Sequence, residues 1–177
     1  MVVERIIADF PGLKDNSFFA DLSDGEIQEL VKVCTVHTFR PGEYALREHE
    51  ESQHILIILT GKIRIGKTLY AGDEKELGFL EAGNFFGEMA FIDENPRSAS
   101  ALCVEETTLL KIERDSFEKL ASKKPVVAYK VAMKIARSLS QRLRASNDVV
   151  EGFFSNPNKA IVEFKTRLMK IQAMLMR

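Results

Sequence analysis

Two side chains in this sequence carry chemistry at a spacing that suits an anionic, hydroxylated ligand. They lie in Phe85-Phe86-Gly87-Glu88-Met89-Ala90 and in the following Pro96-Arg97-Ser98-Ala99-Ser100. A Gly-Glu pair opens the stretch, an apolar turn follows, and an arginine set among small residues closes it. Glu88 supplies a carboxylate that accepts hydrogen bonds from a hydroxyl. Arg97 supplies a planar guanidinium that pairs with phosphate oxygens in fork geometry. Gly87 and Ala99 keep side-chain bulk away, so a ligand can approach the backbone closely. Together they read as a short phosphate and sugar cradle. The same two charges can also satisfy each other as a salt bridge.

No catalytic constellation competes with this cradle. The three histidines are His37, His49 and His54. His49 and His54 flank Glu50 and Glu51, but across a loop-to-strand junction and at no recognised metal-ligand spacing, so a solvated loop is the expectation. The sequence offers no Gly-flanked nucleophilic serine, no oriented Cys/His pair and no phosphate loop of the Gly-rich type. The reading is a binding protein without a metal, not an enzyme.

The elements that must position the cradle come in three textures. Residues 1–10 are amphipathic and helical in pattern, ended by Pro11-Gly12. Ser23 and Glu26 have capping-box spacing, so a helix is expected to start there, with Ile27, Leu30, Val31 and Cys34 on one face. From Thr35 to Ile112, short β-rich runs alternate with turn residues. The expected strands are Thr35–Phe39, Tyr44–Leu46, Ile55–Leu59, a half-buried run around Ile63 and Ile65, Leu77–Leu80, Ser98–Val104 and Thr107–Ile112, with a hairpin loop over Leu69–Lys75. This rhythm predicts a mainly β, α+β fold: an antiparallel β-barrel or jelly roll with N-terminal helices and a C-terminal helical lid.

After Ile112 the helical period returns. A short helix carries Phe117, Leu120 and Ala121 and ends at Lys123-Lys124-Pro125. A long helix then starts with Pro125 in its first turn. Its Ala132, Ile135, Leu139, Arg142, Ser146, Val149 and Phe153 step in threes and fours, close to a heptad seam. Asn156-Pro157 is expected to break it, and a last helix carries Ile161, Phe164, Leu168, Ile171 and Leu175. The implied division is a helical segment over 1–34, a β-barrel with a short following helix over 35–124, and C-terminal helices over 125–177.

Composition bounds the class. Of the 177 residues, 45% are hydrophobic, enough for a packed core. No apolar run reaches the ~18–20 residues of a membrane span, and no signal-peptide pattern opens the chain. Cys34 and Cys103 lie in apolar runs without partner spacing and are expected as buried thiols of a cytoplasmic protein. The net charge of −1 hides an asymmetry: residues 123–177 hold 12 Lys and Arg against 3 Asp and Glu. That basic part is either a solvated helical face or a surface for an acidic partner.

Phe86-Gly87-Glu88-Met89-Ala90, followed by Pro96-Arg97-Ser98-Ala99, closely resembles the phosphate-binding cassette of cyclic nucleotide-binding domains. There the motif runs Phe-Gly-Glu-Leu-Ala, then Pro-Arg-small-Ala, and Met89 is the departure from the usual leucine. The resemblance covers roughly residues 20–155. It implies that Glu88 takes the ribose 2′-hydroxyl and that Arg97 takes the exocyclic phosphate oxygens. Backbone N–H groups from Gly87 to Ala90, with those of Ser98 and Ala99, would complete the cradle. Phe86 opens the cassette, and Ile63 and Ile65 would wall the pocket. Arg142-Leu143-Arg144-Ala145-Ser146-Asn147 and Phe153-Phe154 resemble the long dimer helix of catabolite-activator-type regulators. In those proteins two adjacent hydroxyl residues contact the adenine. Ser146 matches the first and Asn147 departs from the second. Residues 158–175 would correspond to the helix before their DNA-binding domain, so the expectation is a relative without the helix-turn-helix and without nucleic-acid binding.

The resemblance implies a cyclic-nucleotide sensor, with cAMP favoured over cGMP, that homodimerises through residues 125–154 and couples ligand binding to its C-terminal helices. The ligand is a regulator rather than a cofactor. The competing reading is a ligand-free adaptor docking an acidic partner through the basic helices.

Overall fold

The β-rich middle of the chain forms two four-stranded antiparallel sheets. In this computed structural model the described residues are Phe10, 12–68 and 74–155, without the side chains of Val149 and Phe153. The strands are β1 (Cys34–Phe39), β2 (Tyr44–Leu46), β3 (His54–Thr60), β4 (Lys62–Thr68), β5 (Glu74–Glu81), β6 (Phe85–Phe86), β7 (Ser100–Cys103) and β8 (Thr107–Glu113). One sheet runs β1-β8-β3-β6 and the other β2-β7-β4-β5. Among the described residues, four helices flank them: α1 (Asp24–Val31), α2 (Glu88–Asp93), α3 (Arg114–Lys123) and α4 (Pro125–Ser155). The expected β fold with flanking helices is the one observed.

An apolar cluster joins the sheets. Leu46, Leu56, Ile58, Ile63, Phe86, Ala101, Cys103 and Leu109 form it, with Ile65 and Leu80 at its margin. Strand β3, an inner strand of its sheet, is buried on both faces from His54 to Ile58. Hence its Ile-Leu-Ile-Ile run is continuous rather than alternating. Two 3₁₀ turns, Leu13–Asp15 and Ser17–Phe19, cap the end of this cluster. Phe18 meets Phe85 edge-on at 5.1 Å, Asn16 Nδ2 donates to the Ile58 carbonyl at 2.9 Å, and Ser17 Oγ donates to the Gly83 carbonyl at 2.6 Å. Thus the N-terminal turns hold the β5–β6 turn that leads into the candidate cradle.

The capping box forms as expected: Ser23 Oγ accepts the Glu26 N–H at 3.4 Å, and Glu26 Oε2 accepts the Ser23 N–H at 2.7 Å. Several boundaries differ from the sequence reading. Cys34 opens β1 instead of closing α1, and its thiol donates to the Leu30 carbonyl at 3.2 Å. The last cassette strand begins at Ser100 rather than Ser98, since the backbone before it is bound up with the β2–β3 loop. Glu74 and Lys75 are strand rather than hairpin loop. On α4, Val127, Ala128, Val131 and Ile135 are buried while Ala132 is exposed, so the buried stripe shares Ile135 but not Ala132 with the seam read from sequence. The helix expected over 1–10, most of the hairpin loop, the Asn156-Pro157 break and the last helix lie outside the described residues.

Contacts divide the chain into two units, residues 1–134 and 135–177. The first contains both sheets, α1 to α3 and the opening of α4. The described part of the second is the remainder of α4, on which Ser146 and Asn147 are both exposed. Among the described residues no helix is long and apolar enough to cross a membrane.

Candidate functional site

The Gly-Glu-Met-Ala run is not an open turn. Gly87 sits at φ 79°, ψ 8°, a left-handed conformation, and launches α2 from the end of β6. An L-residue is strained there, which explains the glycine. The first N–H groups of a helix have no intrahelical acceptor. Glu88 and Ala90 are buried, whereas Met89 is 48% exposed. The far end of α2 is fastened by Arg114, whose Nη1 donates to the Phe91 and Ile92 carbonyls, each at 3.1 Å. Arg114 also pairs with Glu94 at 2.8 Å and Glu118 at 3.0 Å, and Phe91 meets Phe117 edge-on at 5.3 Å.

Arg97 is brought to Gly87 by a two-bond backbone clip. Its N–H donates to the Glu50 carbonyl at 3.0 Å, and the His49 N–H donates to the Arg97 carbonyl at 2.9 Å. The side chain is 2% exposed. Its Nε donates to Ser52 Oγ at 2.9 Å and its Nη1 to the Gly87 carbonyl at 2.8 Å. Its Nη2 is buried and has no hydrogen-bond partner among the described residues. Burial lowers the Arg97 pKa, opposed by the carboxylates of Glu50, Glu113 and Glu88 in that order. A guanidinium stays protonated through such a shift. The cradle therefore holds a fixed positive charge with the Nη2 amino group to spare.

His54 corrects the expectation of a solvated loop. It is the first residue of β3, 8% exposed, and its carbonyl lies 3.0 Å from where a Gly87 Cβ would stand. Burial, then the charges of Arg97 and Lys111, push its imidazole down to about 4, so it is neutral at physiological pH. His49, by contrast, is exposed. Among the described residues no group of three or more His, Cys, Asp and Glu could hold a metal ion. Cys34 and Cys103 are buried free thiols, as expected.

The remaining residues read from the sequence distribute unevenly. Phe86 is buried in the core beneath the cradle. Ser98 is exposed and its hydroxyl donates to Met89 Sδ at 3.5 Å, joining the two halves of the motif. Ala99 is half-buried just before β7. Ile63 is fully enclosed in the core and presents no surface to a ligand, while Ile65 is half-buried at its margin. Ser52 is missed by the sequence reading, which considers Glu50 and His54 only as possible metal ligands; the signal of all three is a polar run before an apolar strand. A separate cleft of about 680 Å³ is lined by Ser52, Glu94, Pro96, Glu113, Arg114 and Lys119 among others. Its lining includes Pro96 and the Arg97 partner Ser52 but none of Glu88, Arg97, Ser98 and Ala99, and its Arg114 is already paired with Glu94.

Residues 36–124 match the family model described as the cyclic nucleotide-binding domain. The chain is 31% identical over 129 residues to the Cyclic AMP receptor protein of Thermus thermophilus, covering 73% of this chain and 60% of that protein. It is 28% identical over 107 residues to cGMP-dependent protein kinase 2 of Homo sapiens, covering 59% of this chain and 14% of the kinase. The chain thus spans well under two thirds of the curated relatives it matches. Among solved structures, a cyclic nucleotide-binding domain from Methylobacillus flagellatus superposes with a TM-score of 0.73 at 25% identity, covering 84% of each chain. The Thermus thermophilus catabolite activator protein gives 0.69 at 30% identity, covering 76% of this chain and 62% of that one. With the motif, the two-sheet fold and the matched span in agreement, the chain belongs to the cyclic nucleotide-binding domain family.

Proposed function

We propose that this chain is a regulatory sensor of cyclic mononucleotides, with cAMP preferred to cGMP, and that it is not an enzyme. The observation that carries the reading is Arg97: a guanidinium 2% exposed, held by Ser52 and Gly87, with Nη2 lacking a partner among the described residues. A buried charge with an unused donor is costly unless an anion completes it. Gly87 has no Cβ to keep the Arg97 guanidinium from its carbonyl, and Glu88 stands one residue away as an acceptor for a sugar hydroxyl. In this reading Arg97 holds the phosphate, Ser98 and the backbone N–H groups near Gly87 to Ala90 and Ala99 complete its shell, and Glu88 takes the ribose. Ser146 and Asn147 contact the base. Residues 125–154 form a homodimer seam, and ligand binding repositions the C-terminal helices of a cytoplasmic regulator.

The cAMP preference rests on the relatives. The Thermus thermophilus receptor is named for cyclic AMP, and a 27% identical regulator of Mycobacterium tuberculosis is described as cAMP-activated. A few charge-assisted hydrogen bonds plus base burial give an affinity near the micromolar range, about −8 kcal/mol. The test is calorimetric titration with cAMP and cGMP, read alongside light scattering for mass. Saturable cAMP binding, weaker cGMP binding and loss of both in a folded Arg97→Ala variant are expected. Absence of heat with both nucleotides refutes the proposal.

A further inference from the structure

Met89 lies in the first turn of α2, directly after Glu88, and is 48% exposed. Its Sδ receives the hydroxyl of Ser98 at 3.5 Å. Ser98 follows Arg97 in the chain, so the thioether holds a hydroxyl that belongs to the phosphate end of the cradle. The other sulfurs among the described residues are better protected. Cys34 and Cys103 are 4% and 0% exposed. Burial pushes the Cys34 thiol up to about 12 and raises that of Cys103 as well. Since the thiolate is the form that reacts with peroxide, burial and this upward shift protect both thiols. Met133 is half-buried on α4. Among the described residues, Met89 is therefore the sulfur most open to an oxidant from solvent.

We propose that Met89 is a peroxide-sensitive switch on the cradle, whose conversion to the sulfoxide weakens cyclic nucleotide binding. The inference rests on the nucleotide reading above. In the step, a lone pair of Sδ attacks the terminal oxygen of a hydroperoxide. An S–O bond forms as the O–O bond breaks, sulfur gives up two electrons, and the peroxide leaves as water or alcohol after proton transfer to the departing oxygen. A thioether is a weak hydrogen-bond acceptor, whereas the sulfoxide is polar and its oxygen accepts strongly. The new oxygen retains the Ser98 hydroxyl and sets a partial negative charge beside the seat of an anionic phosphate. Leucine, the usual family residue at this position, cannot undergo this chemistry. The departure from the family pattern is what creates it.

The full-length chain is treated with hydrogen peroxide, the oxidised positions are located by mass spectrometry, and cAMP is titrated before treatment, after it, and after incubation with methionine sulfoxide reductase. Met89 should oxidise ahead of Met133, cAMP affinity should fall about tenfold, and the reductase should restore it. The Met89→Leu variant, whatever its starting affinity, should show the same affinity before and after peroxide. An unchanged affinity with sulfoxide present at Met89, or an equal loss in Met89→Leu, overturns the switch while leaving the nucleotide site standing. A native chain that takes up neither cAMP nor cGMP before treatment overturns the nucleotide reading, and the switch with it.

Discussion

Replacing Gly87 by alanine separates the geometry of the cradle from its charges. The backbone there is at φ 79°, and an added Cβ would stand 2.8 Å from Arg97 Nη1, 3.0 Å from the His54 carbonyl oxygen and 3.1 Å from Leu46 Cδ1. The left-handed conformation costs an L-residue about 1–2 kcal/mol. The second and third contacts are with a buried strand and a buried core side chain, which yield little, and overpacking of this kind adds about 1–2 kcal/mol. Fewer unfolded conformations for alanine return about 0.5–1 kcal/mol. The net expectation is a loss of about 1–3.5 kcal/mol, or roughly 2–14 °C in Tm for a chain of this size. The control is Gly42→Ala: φ is +85° but nothing lies within 4 Å, so it incurs only the conformational cost. The first contact is the informative one for function. Relieving it pushes Arg97 Nη1 off the Gly87 carbonyl and shifts the guanidinium from its present seat. Denaturant melts of the three proteins, with cAMP calorimetry on each, read both effects. A Gly87→Ala protein as stable as Gly42→Ala and unchanged in affinity would show that the close approach of Gly87 and Arg97 plays no part in the site.

Two further outcomes follow from the surroundings of Arg97. Ser52→Ala removes the acceptor of Arg97 Nε at 2.9 Å and leaves a second donor of a buried guanidinium unsatisfied, so unfolding free energy should fall by about 1–3 kcal/mol and cAMP affinity with it, while Ser52→Thr restores both. Equal affinities in all three proteins would remove Ser52 from the positioning of Arg97. His54 contributes a pH dependence: its value is about 4 in the fold against an ordinary 6.5, so on acidification the unfolded chain takes up the proton first. Stability from this group is complete above pH 6.5 and lost as pH falls from 6.5 towards 4, by on the order of 1–2 kcal/mol after allowing for partial screening by solvent. Melts of the native chain and of His54→Asn across that window should diverge, and parallel curves would contradict the assignment.

The parts of this molecule that sequence exposes are those governed by local rules. Ser23 and Glu26 make a capping box because each side chain reaches a backbone group of the other within one turn, and nothing distant can interfere. Strands such as Thr107–Glu113 show their character in β-branched and alternating residues. The short pieces around the site lack such signals. Phe85–Phe86 pairs with β3 over only two residues, and Glu88–Asp93 is under two turns long, too brief for periodicity to register. Both exist because tertiary contacts hold them: Phe18 against Phe85 at one end, Arg114 on the Phe91 and Ile92 carbonyls at the other. The motif pointed to Glu88 and Arg97, whose spacing is local. It could not point to Ser52 or His54, which reach Arg97 from 45 and 43 positions earlier in the chain through the β2–β3 loop and the start of β3. Ile63 shows the opposite error. Alternation correctly made it inward-facing, but inward here means the centre of the core rather than a ligand wall.

The way α2 is held also bears on how an occupied cradle would be felt elsewhere. A ligand shifts only an equilibrium whose states it binds differently. At its N-terminal end α2 is joined to Arg97 through the Gly87 carbonyl, the contact that an incoming anion would compete with or tighten. At its C-terminal end the Arg114 guanidinium and the Phe91–Phe117 ring pair tie it to α3. Helix α3 runs into the Pro125 start of α4 after a single intervening residue, Lys124. There Lys130 pairs with Glu26 at 2.7 Å and Lys124 lies 3.8 Å from Glu29, both on α1. Lys130 is the largest cause holding the Glu26 carboxyl down at about 2, so this tie persists at any physiological pH. A displacement of α2 by ligand therefore meets a fastened α3 and a fastened start of α4. At the Gly87 end, α2 meets the Arg97 segment through the Gly87 carbonyl, the Met89–Ser98 contact and the charge of Glu88.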